Sequence, residues 1–318
     1  MFDRLKGEGL LIHHWDTDGI CSAALLKEYL GAQKFMTPTI GNYYLTDKEI
    51  LQIKEEKPDL VVIADMALPR ENVIRLKEVA NVPVAIFDHH HQDKIEGVLH
   101  INPGISYYSA GWVINEYFES EQNILSTLGA IGDKETIVKN DQDIQRVLQQ
   151  NKLSFEEATS IVELIDSNYI LMDREKVSKA VEIVHSNRGK ISKLLNNPDF
   201  LENLKMIEDE YNSQLGNVED NGGNLVTHPI HTDLNLISKI TRKISADNPE
   251  KVVMVINDKS ELANIYVRRK NYPIDLRELI ETFGEWGLNV GGKKEVLGAY
   301  VPKEMVGEFV EKVRKVVG

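Results

Sequence analysis

The chain has 318 residues, 42% of them hydrophobic and 27% charged, which favours two domains over one and excludes the disordered and fibrous classes. Its net charge of −13 argues against non-specific binding to long duplex nucleic acid, which needs many Lys and Arg contacts to phosphate. The single cysteine, Cys21, excludes an intrachain disulfide.

No apolar run approaches the roughly 18 residues that span a bilayer. The leading stretch MFDRLKGEG is too polar for a secretion signal, so a cytoplasmic location without membrane contact is expected. In chain order, the strand candidates are LLIHH, KFMTPTI, LVVIAD, VPVAIFDHH and LGAIGD. Among them lie ICSAALLKEYL, LPRENVIRLKEVA and SAGWVINEYFES, with apolar residues near a 3.6 period. That alternation predicts a parallel sheet covered by helices. From about Asp141 to Leu215 the pattern is almost wholly helical, interrupted at SNRGK and NNPDF. VEDNGGN, ending at Asn224, reads as a linker. Beyond it come the strand LVTHPI, the helix LNLISKITRKI, the strands KVVMVI and ELANIYVRR, the helix LRELIETF, a glycine-rich loop, the strand EVLGAYV and the final helix EMVGEFVEKVRKVV. The expected fold class is α/β, with an N-terminal parallel-sheet domain (1–185), a helical connector (186–224) and a smaller C-terminal α/β domain (225–318).

Four short motifs carry the chemistry: HWDTDG (His14 to Gly19), ADMA around Asp65, FDHHH (Phe87 to His91) and GAIGDKE around Asp133. Each falls at or just past a predicted strand end, and in open α/β sheets such ends line the ligand crevice. Singly, each has an ordinary explanation, since Asp caps helices and histidines beside strands are commonly solvated. Four coincidences at one sheet edge favour a metal site. Carboxylates and imidazoles without thiolates suit Mn²⁺ or Mg²⁺. Two ions about 3.5–4 Å apart need a bridging carboxylate and separate ligands on each side. His14, Asp16, Asp18, Asp65, His89 and Asp133 suffice for both. His13 and His91 leave the register open by one residue, and His14 is preferred because Asp16 and Asp18 share its alternate-residue phase.

Through Asp88-His89-His90 and its companion motifs, the sequence resembles the DHH phosphoesterase superfamily. YVRRK (Tyr266 to Lys270), DLRELI and NVGGKKEVLGAYVP (Asn289 to Pro302) resemble the DHHA1 substrate-binding domain that accompanies it. Among subfamilies the chain is most similar to archaeal RecJ-like nucleases, some of which work beside repair helicases. In bimodular size it is also similar to bacterial nanoRNases. The resemblance implies a DHH catalytic domain in which His14, Asp16 and Asp65 hold one ion, and Asp18, Asp65, His89 and Asp133 the other. It makes Asp65 the bridge, gives His90 the scissile phosphate, and leaves Asp88 to orient a histidine.

In the second domain the resemblance implies that Arg268, Gly291, Gly292 and Lys293 grip the substrate, with Lys293 standing where many relatives have histidine. Taken alone the glycine pair reads more simply as a flexible turn. Tyr107, Tyr108 and Trp112 read as packing residues, with base stacking as the alternative. The implied activity is a two-metal (Mn²⁺ or Mg²⁺) exonuclease on single-stranded DNA or RNA in repair or replication, working from the 3′ end. The alternatives are a phosphodiesterase of short oligonucleotides or cyclic dinucleotides, and a non-catalytic replication or repair scaffold. A repair helicase or replication protein is the implied partner, and pairing of connector helices would make the chain a homo-oligomer.

Overall fold

A computed structural model describes residues 9–31, 33–216, 218 and 223–318. The polar leader lies largely outside the described residues, and so does most of the VEDNGGN linker. The chain divides into two compact units, Met1–Leu204 and Lys205–Gly318.

In the first unit β1 (Gly9–His13), β2 (Gln33–Met36), β3 (Leu60–Ala64), β4 (Val84–Phe87) and β5 (Leu99–Ile101) pair in parallel, in the order β2-β1-β3-β4-β5. β1, β3 and β4 are buried at every residue, as strands covered on both faces must be. This order reverses direction at β1, so β2 and β3 lie on opposite sides of it and a crevice opens at the carboxyl ends of β1 and β3. Pairing continues one residue beyond each strand. The His14 amide donates to Ala64 O (3.2 Å), that of Asp65 to Phe87 O (2.9 Å), and that of Asp88 to Ile101 O (3.1 Å). Three of the residues singled out in the sequence are therefore held by the sheet itself.

The helices are α1 (Thr17–Leu30), α2 (Asp47–Glu56), α3 (Arg70–Ala80), α4 (Ala110–Tyr117), α5 (Ile124–Lys134), α6 (Gln142–Gln150), α7 (Phe155–Ile170), α8 (Arg174–Asn187) and α9 (Pro198–Leu215). Their starts follow from capping chemistry: Asp16 caps α1, Asp141 caps α6, Asp173 caps α8, and Thr46–Glu49 and Ser154–Glu157 form capping boxes on α2 and α7. The stretch expected to act as a connector contributes Ile191, Leu194 and Phe200 to the N-terminal core.

LGAIGD is not a strand. Asn123 and Ser126 close a capping box, and Ile124, Leu125, Leu128 and Ile131 bury one helical face, so the run belongs to α5. A short apolar run does not by itself separate strand from helix. Its small residues serve close approach to α1 instead: a Cβ on Gly129 would lie 2.3 Å from Asp18 Oδ1.

In the second unit β6 (Leu225–Ile230) pairs in parallel with β7 (Val252–Asn257). Antiparallel β8 (Leu262–Arg269), β9 (Asn289–Lys293) and β10 (Val296–Pro302) complete the order β6-β7-β8-β10-β9. The remaining helices are α10 (Ile237–Asp247), α11 (Arg277–Glu285) and α12 (Val306–Val317). Val267, Leu297, Phe283 and Phe309 anchor a second core. The glycine-rich stretch expected as a loop is strand β9. Gly292 adopts φ +147°, and a Cβ there would meet Val296 O at 2.2 Å, so its glycine is required by the β9–β10 hairpin. Among the described residues no helix is long and apolar enough to cross a membrane.

Candidate metal centre

The turn between β1 and α1 and the first turn of α1 supply three of the polar side chains. His14 follows the strand, and its Nδ1 lies 2.7 Å from Asp16 Oδ2 and 3.7 Å from Asp65 Oδ2. Asp16 caps α1, with Oδ1 accepting from the Gly19 amide (3.1 Å). A Cβ on Gly19 would come within 2.3 Å of His14 O, so this turn closes only around glycine. Asp18 lies in the first turn of α1 and is buried. Its Oδ2 accepts from the Ala110 amide (2.6 Å), and its Oδ1 from Gly111 N (3.3 Å) and Ser22 Oγ (3.3 Å). The amino end of α4 thus grips the carboxylate from above.

Asp65 is buried just past β3 with φ +58°, in the left-handed region. Asp tolerates that conformation better than most residues, yet it costs free energy that the surrounding contacts must offset. His89 donates from Nδ1 to Tyr107 O (3.2 Å). Its Nε2 then stands 3.0 Å from Asp133 Oδ2, 3.5 Å from Asp65 Oδ1 and 3.8 Å from Asp18 Oδ2. Asp133 reaches this point from the last turn of α5 rather than from a strand end.

Three groups of ligand atoms close enough to share a cation result: His14, Asp16 and Asp65; Asp18, His89 and Asp133; and Asp65, His89 and His90. All six sequence-predicted ligands are brought together. His90 Nδ1 is 3.8 Å from Asp65 Oδ1 but already donates to the buried Asp88 Oδ1 (2.8 Å), so Asp88 orients this histidine. His13 is buried with Nδ1 against His14 O (2.7 Å), and burial pushes its pKa down to about 4. His91 is exposed.

The electrostatics call for positive charge. Burial and Asp133 push Asp18 up to about 6, and burial and Asp18 push Asp65 well above the carboxylate range. Burial opposes charging His89, but Asp133 and Asp18 outweigh it and carry its pKa up to about 9. Burial alone would raise Asp16 too, but the His14 imidazole and the Gly19 amide pull it down to about 2. Protons and cations compete for such donors. The buried atoms His14 Nε2 and Asp65 Oδ1 have no hydrogen-bond partner, an arrangement that is costly unless a ligand completes it. With oxygen and imidazole donors and no thiolate, the set fits Mn²⁺ or Mg²⁺.

Sequence reasoning missed Asp166 of α7. It accepts from Thr17 N (2.8 Å) and Thr17 Oγ1 (2.7 Å), fixing the residue between Asp16 and Asp18, and burial with Asp16 nearby pushes it up to about 7. The partners are 149 positions apart, and the only local hint was an acid amid the apolar residues of α7. Missed too was Tyr43, whose ring is near-parallel to His14 (5.8 Å, 26°). Tyr107 and Tyr108 are instead engaged, bonding Glu116 and Asp141 (3.0 Å for the latter), while Trp112 packs edge-on against Tyr108.

Residues 10–141 match the family model for the DHH family, N-terminal domain. The matched segment contains all six candidate ligands and both His90 and Asp88. No curated protein matches the chain. Among solved structures, one described as a member of the S1p family of ribosomal proteins with a DHH domain shares 17% identity at TM-score 0.71, over 100% of this chain and 88% of that one. RecJ in complex with Mn²⁺ from Thermus thermophilus shares 16% identity at TM-score 0.67, over 98% of this chain and 52% of that one. This chain thus spans about half the length of that RecJ. A pGpG-specific phosphodiesterase from Vibrio cholerae shares 16% identity at TM-score 0.54, over 98% of both chains. Likeness at such identity establishes a shared fold, and the segment that matches the family model lies in the first unit.

In the second unit, Arg268, Gly291 and Lys293 share one face of the sheet, since Arg268 and Lys293 both oppose Val296, and Gly291 opposes Gly298, which is in phase with it. Gly292 belongs to the opposite face. Arg269 is turned away from Arg268 and lies 3.5 Å from Glu295.

Proposed function

We propose that this protein is a metal-dependent phosphodiesterase that binds two Mn²⁺ or Mg²⁺ ions and removes nucleotides from the 3′ end of single-stranded nucleic acid. The observation that carries the reading is Asp65: its carboxylate belongs both to the group with His14 and Asp16 and to the neighbourhood of His89, Asp18 and Asp133, as a carboxylate between two cations must. When bound, divalent cations would supply Lewis acidity and a water acidified enough to attack phosphorus.

The chain's own residues do the rest. His14, Asp16 and Asp65 would hold one ion, and Asp18, His89 and Asp133, with Asp65, the other. The α4 amides fix Asp18, and the Tyr107 carbonyl fixes the His89 tautomer so that Nε2 faces the carboxylates. His90 is half-exposed and its Nδ1 proton is committed to Asp88, which leaves Nε2 to meet a phosphoryl oxygen. Arg268 offers a bidentate fork for phosphate, with Lys293 and the Gly291 backbone on the same sheet face. Asp88 acts by orientation alone. The metals supply the local positive field, which reconciles a net charge of −13 with an anionic substrate.

A second reading, cleavage of dinucleotides or very short oligonucleotides, is favoured by the match to the pGpG-specific phosphodiesterase over 98% of both chains. Strands of about twenty nucleotides and dinucleotides, labelled in turn at each end and incubated with Mn²⁺ and Mg²⁺, separate the two. Release from the 3′ end of the long strand is expected, and 5′ release would reverse the polarity. Asp133→Asn should lower turnover by at least about 100-fold with circular dichroism unchanged. Undiminished turnover would remove Asp133 from the centre.

A further inference from the structure

The loop from Thr37 to Thr46, between β2 and α2, crosses the same sheet edge as the metal centre and has no regular structure, yet it is tied at several points. Asn42 N donates to Thr39 O (2.9 Å), closing a turn at Gly41, which adopts φ +93°. Leu45 is buried, and Asn72 brackets it by accepting from its amide and donating to its carbonyl, both at 2.7 Å. Thr39 N and Thr46 N both donate to the carboxylate of Glu49 (2.8 Å each). Between these ties stands Tyr43. Its ring lies against His14 (5.8 Å, 26°) and the buried Trp15 (5.3 Å, 57°), and His14 itself packs on Trp15 (4.2 Å). Yet 63% of Tyr43 is exposed. Burial therefore does not explain an aromatic residue here, and the backing rings hold it next to a ligand of the metal centre.

We propose that Tyr43 is a nucleobase platform, stacking the base of the nucleotide whose phosphate lies at His14, Asp16 and Asp65. The inference rests on the proposed phosphodiesterase reading and adds the part of the substrate that the first unit recognises. A base is joined to its phosphate through one sugar, so a flat apolar surface one side chain from a phosphate-binding ligand is where that base falls. Ring stacking tolerates every base because each has a π-face, which suits an enzyme advancing along a strand without reading its sequence. The ordered loop means that little freedom is lost when the base docks.

Calorimetric titration of the Mn²⁺-loaded protein with adenosine 5′-monophosphate and with ribose 5-phosphate isolates the contribution of the base. The wild type should bind the nucleotide on the order of tenfold more tightly than the sugar phosphate. Tyr43→Ala should erase that difference by weakening the nucleotide alone, and Tyr43→Phe should retain it. Equal affinities in the wild type, a difference that survives Tyr43→Ala, or a Tyr43→Phe variant that behaves like Tyr43→Ala would each overturn the platform. Equal weakening of both ligands in Tyr43→Ala would also overturn it, reducing Tyr43 to a prop for His14. A wild type that favours the nucleotide but cleaves no end-labelled strand would instead sink the phosphodiesterase reading and leave the platform standing.

Discussion

Asp18 depends on three residues that carry no chemistry of their own. Ala110 and Gly111 hold its oxygens through backbone amides, and Gly129 leaves the space those oxygens occupy, since a Cβ there would lie 2.3 Å from Oδ1. Because the carboxylate is pinned, it has little room to yield. Gly129→Ala should cost about 1–3 kcal/mol of stability and weaken Mn²⁺ binding by about tenfold. Denaturant unfolding and metal titration measure the two effects, and an unchanged Mn²⁺ affinity would mean that Asp18 is no ligand. None of this was legible in the sequence, where Asp18 and Ala110 are 92 positions apart. What was legible was phase. The alternation of His14, Asp16 and Asp18 favours His14 over His13, and the structure places His14 among the carboxylates while His13 is buried, although Asp18 reaches the centre from the first turn of α1 and not from an extended strand end.

At the scale of elements, the β2–α2 loop is governed by Glu49. Its carboxylate accepts from the amides and hydroxyls of Thr39 and Thr46 and lies 3.0 Å from Arg174 Nη2. Burial alone would raise its pKa, but the hydrogen bonds from Thr46 and Thr39 outweigh that and hold it below the usual glutamate value. The folded value therefore lies below the unfolded one. The stabilisation is complete above the unfolded value, hence at neutral pH, and disappears as pH falls through the folded value. Glu49→Gln should be less stable than wild type by about 1–3 kcal/mol at neutral pH, with the gap closing at an acid pH below the folded value. Urea midpoints at the two pH values test this, and a constant gap would contradict it. Elements also mark where sequence reading failed. β1, β3 and β4 announced themselves as continuous apolar runs ending in acids or histidines. LGAIGD looked alike but is α5, because its cap precedes the run and its glycines answer to α1. The short β5 is only half-buried and left no apolar signature.

Across the whole molecule two separate cores form, one around the parallel sheet and one between the mixed sheet and helices α11 and α12. The ligand candidates all belong to the first unit. Mn²⁺ at about 100 times its dissociation constant should stabilise that unit by about 2.7 kcal/mol, an effect that chelation reverses. Hydrogen exchange should slow in β1, β3, β4 and α5 and stay unchanged in β6 to β10. Equal slowing in both sheets would place the cation elsewhere. The alternation of strands and helices made the helix-covered parallel sheet readable from sequence, but the contacts joining distant segments into one centre, such as Asp166 with Thr17, emerge only from packing.

The left-handed backbone of Asp65 has a practical consequence. Asparagine is the other side chain at ease in that conformation, so Asp65→Asn discards the charge without redirecting the main chain, whereas alanine would add torsional strain of its own. The amide variant is thus the natural decoy for capturing an intact oligonucleotide on the protein, a frozen snapshot taken before any bond has broken.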